Sequence, residues 1–200
     1  MIGIAHRGAS AELPENTLPA FERAIEVGAD FVEFDVHADR EGRLLVSHDP
    51  PRSGEPTLEE VLDLCRGRIG VMVELKRPDH YRRHEVVERT LAQLDDEAVV
   101  VCFQRAALEE VRRRRPGIRT VQHVGFGVSI RRAAGAWAAG FQDARVTPRG
   151  LAAARALGLE TTVYTVNDEA RILELAKFGV AGIFTDRPRQ ALRALAHPEG

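Results

Sequence analysis

The chain has 200 residues, 44% hydrophobic and 29% charged, with a formal net charge of -2. That length and balance suit one domain over residues 1–200 with a full core, and the near-neutral charge gives no global attraction to nucleic acid or an anionic membrane. No apolar run approaches the length of a transmembrane helix, and the first residues lack a basic stretch followed by a long apolar one, so a cytoplasmic location is the expectation.

Ile2–Ala5 reads as a strand. Asn16–Val27 reads as a helix stopped at Gly28, a residue free to adopt the left-handed turn that ends helices. Phe31–His37 alternates with a period of two, which puts Val32, Phe34 and Val36 on one face and Glu33, Asp35 and His37 on the other. Leu44–Ser47 is a short return strand after the Glu41-Gly42 turn. Thr57 and Glu60 form a capping box for a helix whose apolar stripe is Leu58, Val61, Leu62 and Leu64.

Strands follow at Val71–Leu75, Ala98–Phe103 and Arg119–Val124, with helices near His84–Leu94 and over Arg105–Arg115, the latter stopped by Pro116-Gly117. Ser129–Ala139 is expected to be a helix and Phe141–Val146 a strand. The rest alternates: helix Pro148–Leu157, strand Glu160–Val166, helix Asp168–Phe178, strand Gly182–Thr185 and a last helix near Arg189–Ala196. About eight β/α units with short connections predict a compact (β/α)8 TIM barrel without a sizeable insertion. A doubly wound open sheet is the rival, and no Gly-x-Gly-x-x-Gly follows the first strand to support it.

The polar residues sit where such a barrel builds active sites, at the C-terminal ends of its strands. His6 and Arg7 follow the first strand, Glu33 and Asp35 lie near the end of the second, His48 ends the return strand, and Glu74 and Lys76 end the next. Two carboxylates pointing into a barrel repel each other unless a cation joins them. With Glu74 they make an oxygen donor set for Mg²⁺ or Ca²⁺, not a thiolate zinc site. The plainer reading leaves Glu33 and Asp35 on a solvated face or paired with arginines. His6 and His48 are candidates for proton transfer, and Arg7 and Lys76 for holding a phosphate's oxygens, or else for pairing with the nearby acids.

His37 reads mainly as a neighbour of the site, and His80, His84, His123 and His197 as structural or exposed. Cys65 and Cys102 read as buried free thiols. Arg112–Arg115 reads as a solvated helix end rather than a nucleic-acid contact.

His6-Arg7-Gly8, Pro14-Glu15-Asn16-Thr17, Glu33-Phe34-Asp35, His48-Asp49 and Glu74-Leu75-Lys76, in that order, resemble the signature of the glycerophosphodiester phosphodiesterases. Tyr164-Thr165-Val166-Asn167 and Gly182-Ile183-Phe184-Thr185-Asp186-Arg187-Pro188 continue the likeness to the last strand. The resemblance implies a TIM barrel and hydrolysis of glycerophosphodiesters to an alcohol and glycerol 3-phosphate. It makes Glu33, Asp35 and Glu74 metal ligands, and His6 and His48 general base and acid in an unassigned order. Arg7 and Lys76 would bind phosphate, and Glu15, Asn16 and Tyr164 would line the substrate site.

Three departures stand out. Only 25 residues lie between His48 and Glu74, where family members often carry an insert that shapes substrate access. Tyr164 stands in place of the usual tryptophan, and Cys102 in place of a common serine. The alternatives are a phosphodiesterase of lysophospholipids or sphingomyelin-like substrates, which needs an apolar entrance, and a non-catalytic phosphoester-binding barrel.

Overall fold

The computed structural model describes residues 1–52, 54–125 and 127–197. Among these, nine strands form one sheet: β1 (Ile2–His6), β2 (Phe31–Ala38), β3 (Leu44–Val46), β4 (Gly70–Leu75), β5 (Val99–Cys102), β6 (Arg119–Val124), β7 (Ala138–Gln142), β8 (Glu160–Tyr164) and β9 (Gly182–Thr185). Eight run parallel and close on themselves, because β1 pairs with both β2 and β9. The ninth, β3, returns antiparallel along the end of β2 with Val36 opposite Val46. The expected (β/α)8 barrel is therefore what the chain forms. Strand register brings His6 level with Glu33, and Asp35 level with Glu74.

The helices α1 (Leu18–Glu26), α2 (Leu58–Cys65), α3 (Val86–Leu91), α4 (Arg105–Arg114), α5 (Pro148–Ala156), α6 (Glu169–Lys177) and α7 (Pro188–Ala196) follow their strands around the outside. α2 begins at the predicted capping box, with both Thr57 and Glu60 bonds formed. α1 starts two residues later than expected. Thr17 caps it, and Asn16 is held in the left-handed region at φ 57°, its side chain turned to the barrel instead.

The β6–β7 connection corrects the sequence expectation. Ser129–Ala139 is not an α-helix; a short 3₁₀ turn over Ile130–Ala133 is all that forms, and β7 lies at Ala138–Gln142 rather than 141–146. The alanines there suggested helix propensity. Gly135, at φ 85°, interrupts the run, and the small residues of β7 serve the barrel interior. A Cβ on Gly140 would stand 2.1 Å from His123 Nδ1, so glycine is what lets that imidazole lie across β7.

Alternation along the strands sorts the core into layers. Val32, Phe34 and Val36 face outward and pack under the helices, with Phe34 against Phe21 of α1 at 5.7 Å between ring centroids. Ile4, Met72, Val99, Val101, Val121, Ala138 and Phe184 fill the barrel interior. Above that apolar plug, at the C-terminal ends of the strands, the inward positions turn polar. Cys65 and Cys102 are buried free thiols as expected, and burial pushes both up to about 12. The Arg112–Arg115 run closes α4, where Arg114 pairs with Glu88 and Glu110 and Arg115 with Asp96.

Candidate active site

Glu33, Asp35 and Glu74 meet above the plug. All three are buried, and one carboxylate oxygen from each lies within 4.8 Å of the others. Two cations are locked among them. Lys76 Nζ stands 2.9 Å from Asp35 Oδ1 and 2.9 Å from Glu74 Oε1, while Arg7 Nε stands 3.0 Å from Asp35 Oδ2. Asn16, buried, donates from Nδ2 to Asp35 Oδ2 at 3.0 Å and accepts from the Asp35 backbone N–H at 3.3 Å.

The backbone is bent to achieve this. Arg7, Asn16 and Arg77 all take positive φ, of 56°, 57° and 46°, conformations that non-glycine residues keep only where surrounding structure imposes them. Gly8 follows Arg7 at φ 84°, where a Cβ would strike the backbone of Ala20 at 2.7 Å.

The charges do not balance. Burial works against the Asp35 charge, yet Lys76 and Arg7 outweigh it and hold the carboxyl below the ordinary range. Glu74 is raised by burial, with Lys76 offsetting part of that. Glu33 is the extreme case: burial, with the Asp35 carboxylate beside it, pushes its carboxyl up to about 8. Its hydrogen bond comes from the Arg7 backbone N–H, at 3.3 Å. Three carboxylates thus face two cations, one of which also pairs with Glu15 at 2.8 Å. A hard divalent cation would supply the missing charge, and an all-carboxylate donor set is the kind such ions take.

His6 lies beside this cluster. Its Nδ1 is 2.7 Å from Asp186 Oδ1, and Asp186 is itself held by Asn167 Nδ2 at 2.7 Å and Ser10 Oγ at 3.1 Å. Burial opposes a charged imidazole, but Asp186 and Glu33 win and raise its pKa. The Asp186 carboxyl is pulled down to about 2 against its own burial by the His6 and Asn167 bonds. Reading the sequence gave Asp186 and Asn167 no role, although both lay in segments noted for their likeness; the available signal was their place just past β9 and β8, on the same barrel face as His6.

His48 stands on the rim, its side chain 43% exposed and its Nδ1 3.4 Å from Asp49 Oδ1. It lines a hollow of about 340 Å³ with Glu15 and Asn16. A second hollow of about 300 Å³ is lined by His6, Arg7, Glu15, Asn167 and Asp186. Glu15 borders both, so the expected lining residue lies between the two histidines' hollows. Asn16 is drawn further in than a lining role requires, onto Asp35. A larger hollow of about 630 Å³ lies at the opposite end of the barrel, by Asp30 and Arg119.

Tyr164 ends β8 beside His123, at 4.2 Å between ring centroids, with Phe103 at 6.0 Å and Phe184 at 6.4 Å. His123 is structural, as expected, but it belongs to the barrel mouth. Burial drives its pKa down to about 3, so it is neutral at physiological pH.

Comparison with known proteins agrees with this geometry. The model of the glycerophosphoryl diester phosphodiesterase family matches residues 6–124 and 55–190. The chain belongs to that family. Its members are phosphoric diester hydrolases. A glycerophosphodiester phosphodiesterase from Bacillus altitudinis is 28% identical, covering 94% of this chain and 96% of its own length. Another, from Bacillus subtilis, is 27% identical over 94% of this chain and 84% of its own. The fold is shared with an Oleispira antarctica phosphodiesterase solved in complex with the product sn-glycerol-3-phosphate, at a TM-score of 0.86 and 22% identity over 98% of this chain and 97% of that one. Among the described residues no helix is long and apolar enough to cross a membrane.

Proposed function

We propose that this chain, as a single domain, hydrolyses glycerophosphodiesters to an alcohol and sn-glycerol 3-phosphate, with Mg²⁺ or Ca²⁺ held by Glu33, Asp35 and Glu74. The observation that carries the proposal is the buried triad, short of positive charge and flanked by fixed cations and histidines. A divalent ion there neutralises charge on the nonbridging oxygens of a phosphodiester. Arg7 and Lys76 add fixed positive charge, Arg7 with a planar fork and Lys76 as a point charge.

His6 is the general base in this reading. Asp186 accepts a hydrogen bond from Nδ1–H, so the lone pair lies on Nε2 on the far side of the ring, and the carboxylate stabilises the imidazolium that forms. The role is the same whether water or a neighbouring glycerol hydroxyl attacks. His48, exposed at the rim, donates a proton to the departing alkoxide. Glu15 and Tyr164 border the substrate, and Asn16 fixes Asp35.

The test is release of glycerol 3-phosphate from glycerophosphocholine. Turnover is expected to vanish after rigorous chelation and return on adding Mg²⁺ or Ca²⁺; unchanged turnover removes the metal from the proposal. Phe103, 48% exposed on the rim, offers an apolar contact to longer substrates. Choline release from lysophosphatidylcholine against that from glycerophosphocholine separates the two substrate readings, and faster turnover of the former would reverse their order.

A further inference from the structure

His48 is an exposed side chain on a loop, yet the proposed reaction needs it in one place. A proton donor must come within hydrogen-bond reach of the leaving oxygen, and small misplacements of catalytic groups are costly in rate. What fixes it is not its own side chain, whose ion-pair partner, Asp49, is itself 80% exposed. The fixed point is its backbone.

His37 follows Glu33 and Asp35 on the inward side of β2 and is 2% exposed. Its Nε2 lies 3.1 Å from the carbonyl oxygen of His48, and its Nδ1 lies 3.2 Å from the hydroxyl of Tyr81. A carbonyl can only accept, so Nε2 carries the hydrogen. Nδ1 is then the acceptor, and the Tyr81 hydroxyl donates to it. The Tyr81 ring meets the imidazole edge-on at 5.6 Å and is packed in turn against His80 at 4.8 Å. A single imidazole thus ties the barrel wall to two loops, the one after β3 that carries His48 and the one after β4 that follows Lys76.

A polar side chain buried this deeply costs free energy unless both of its nitrogens are paired, and an aliphatic residue would fill the position without that demand. Both nitrogens are paired here, and one of the pairings is the His48 backbone.

We propose that His37 is a positioning residue, a buried strut that holds the backbone of His48 so that the His48 side chain meets the leaving group. The inference rests on the reading of His48 as a proton donor. It does not involve His37 touching substrate.

The test is a double-mutant cycle on the intact, metal-loaded enzyme with glycerophosphocholine as substrate, comparing His37→Leu, His48→Ala and the pair. His37→Leu is expected to lower kcat about tenfold or more while KM moves less than twofold, in keeping with lost acid catalysis. In the His48→Ala background the same change should cost nothing further. His37→Gln, whose amide N–H can still donate to the His48 carbonyl, should recover most of the rate.

An activated p-nitrophenyl ester, whose leaving group needs no proton, should be nearly indifferent to both single changes. If His37→Leu misfolds, Tyr81→Phe removes one hydrogen bond only and should give a smaller loss that also disappears in the His48→Ala background. An equal loss with and without His48, or a parent-like rate in His37→Leu, overturns the strut. A parent-like rate in His48→Ala overturns it too, by sinking the proton-donor reading beneath it. Nitrogen NMR of the His37 ring gives a readout apart from turnover: a hydrogen on Nδ1 rather than Nε2 would contradict the strut directly.

Discussion

The mouth of the barrel has two unlike halves. Over β1, β2 and β4 stand His6, Arg7, Glu33, Asp35, Glu74 and Lys76, every one ionisable and most shifted by its neighbours. Around the ends of β5, β6 and β8 stand Phe103, His123 and Tyr164, rings in mutual contact. Burial locks the ionisable rings of this second half in their neutral forms, His123 down to about 3 and Tyr164 up to about 12. Both halves are inward positions near the same barrel rim. One concentrates charge that needs a partner, and the other removes charge altogether. On the proposed function, the chemistry belongs to the first half and shape to the second.

Removing a carboxylate from the charged half should have the largest effect. Glu33→Gln is expected to lower kcat by about 10³-fold or more at saturating Mg²⁺ or Ca²⁺, the scale of losing several kcal/mol of charge stabilisation. It should also abolish the rise in thermal midpoint that either ion gives the parent. The pH behaviour of the metal-free parent follows from the same residue. A carboxyl whose folded value, about 8, lies above its ordinary 4.5 binds its proton more tightly when folded. Its contribution to stability is complete below about 4.5 and is lost as pH rises through about 8. Thermal scans of the metal-free parent from pH 5 to 9, which span roughly that window, should fall with pH more steeply than those of Glu33→Gln. Parallel curves would mean that Glu33 is already compensated, and that the charged half needs no ion.

Asp186→Asn comes next. The amide keeps the size but loses the charge that orients His6 and raises its pKa. The expected loss in kcat/KM is about 10²-fold, the range of general acid–base catalysis. The direction of the pH effect is fixed too. Without the carboxylate the His6 pKa falls, so the acidic limb of the pH–rate profile moves to lower pH. A limb that stays in place would separate Asp186 from the proton transfer and leave it a structural bond to β1.

The two halves also differ in how legible they were. The charged half could be read from residue order, because alternation on β2 put Glu33, Asp35 and His37 on one side, and strand ends are where a barrel gathers its polar groups. The predicted barrel formed, and the three carboxylates lie together. Its supports were harder to see. Asp186 reaches His6 across 180 positions of chain, and Asn16 left its expected helix to reach Asp35. Neither bond has a local pattern.

Of the aromatic half only Tyr164 was legible as a site residue, through its motif. His123 sits in a strand with no motif around it, and the space that admits its ring comes from Gly140 on the next strand. There the alanines of 133–139 read as helix, because propensity is a local quantity and the demand for small residues came from a neighbour. The result was both the misplaced β7 and a His123 read as structural or exposed, with no place at the barrel mouth.

The smallest expected effect tests the aromatic half itself. Phe103 is 48% exposed, with its ring centroid 4.8 Å from His123 and 6.0 Å from Tyr164. Phe103→Ala removes an apolar face but no charge and little buried surface, so the thermal midpoint should barely move. If this half supplies shape alone, the lost contact is felt equally in the ground and transition states. KM for glycerophosphocholine should then rise about two- to fivefold, the worth of one aromatic contact, with kcat unchanged. A tenfold fall in kcat at constant KM would say the opposite: that the uncharged wall is felt mainly in the transition state, and that the division of labour between the halves is not the one their charges suggest.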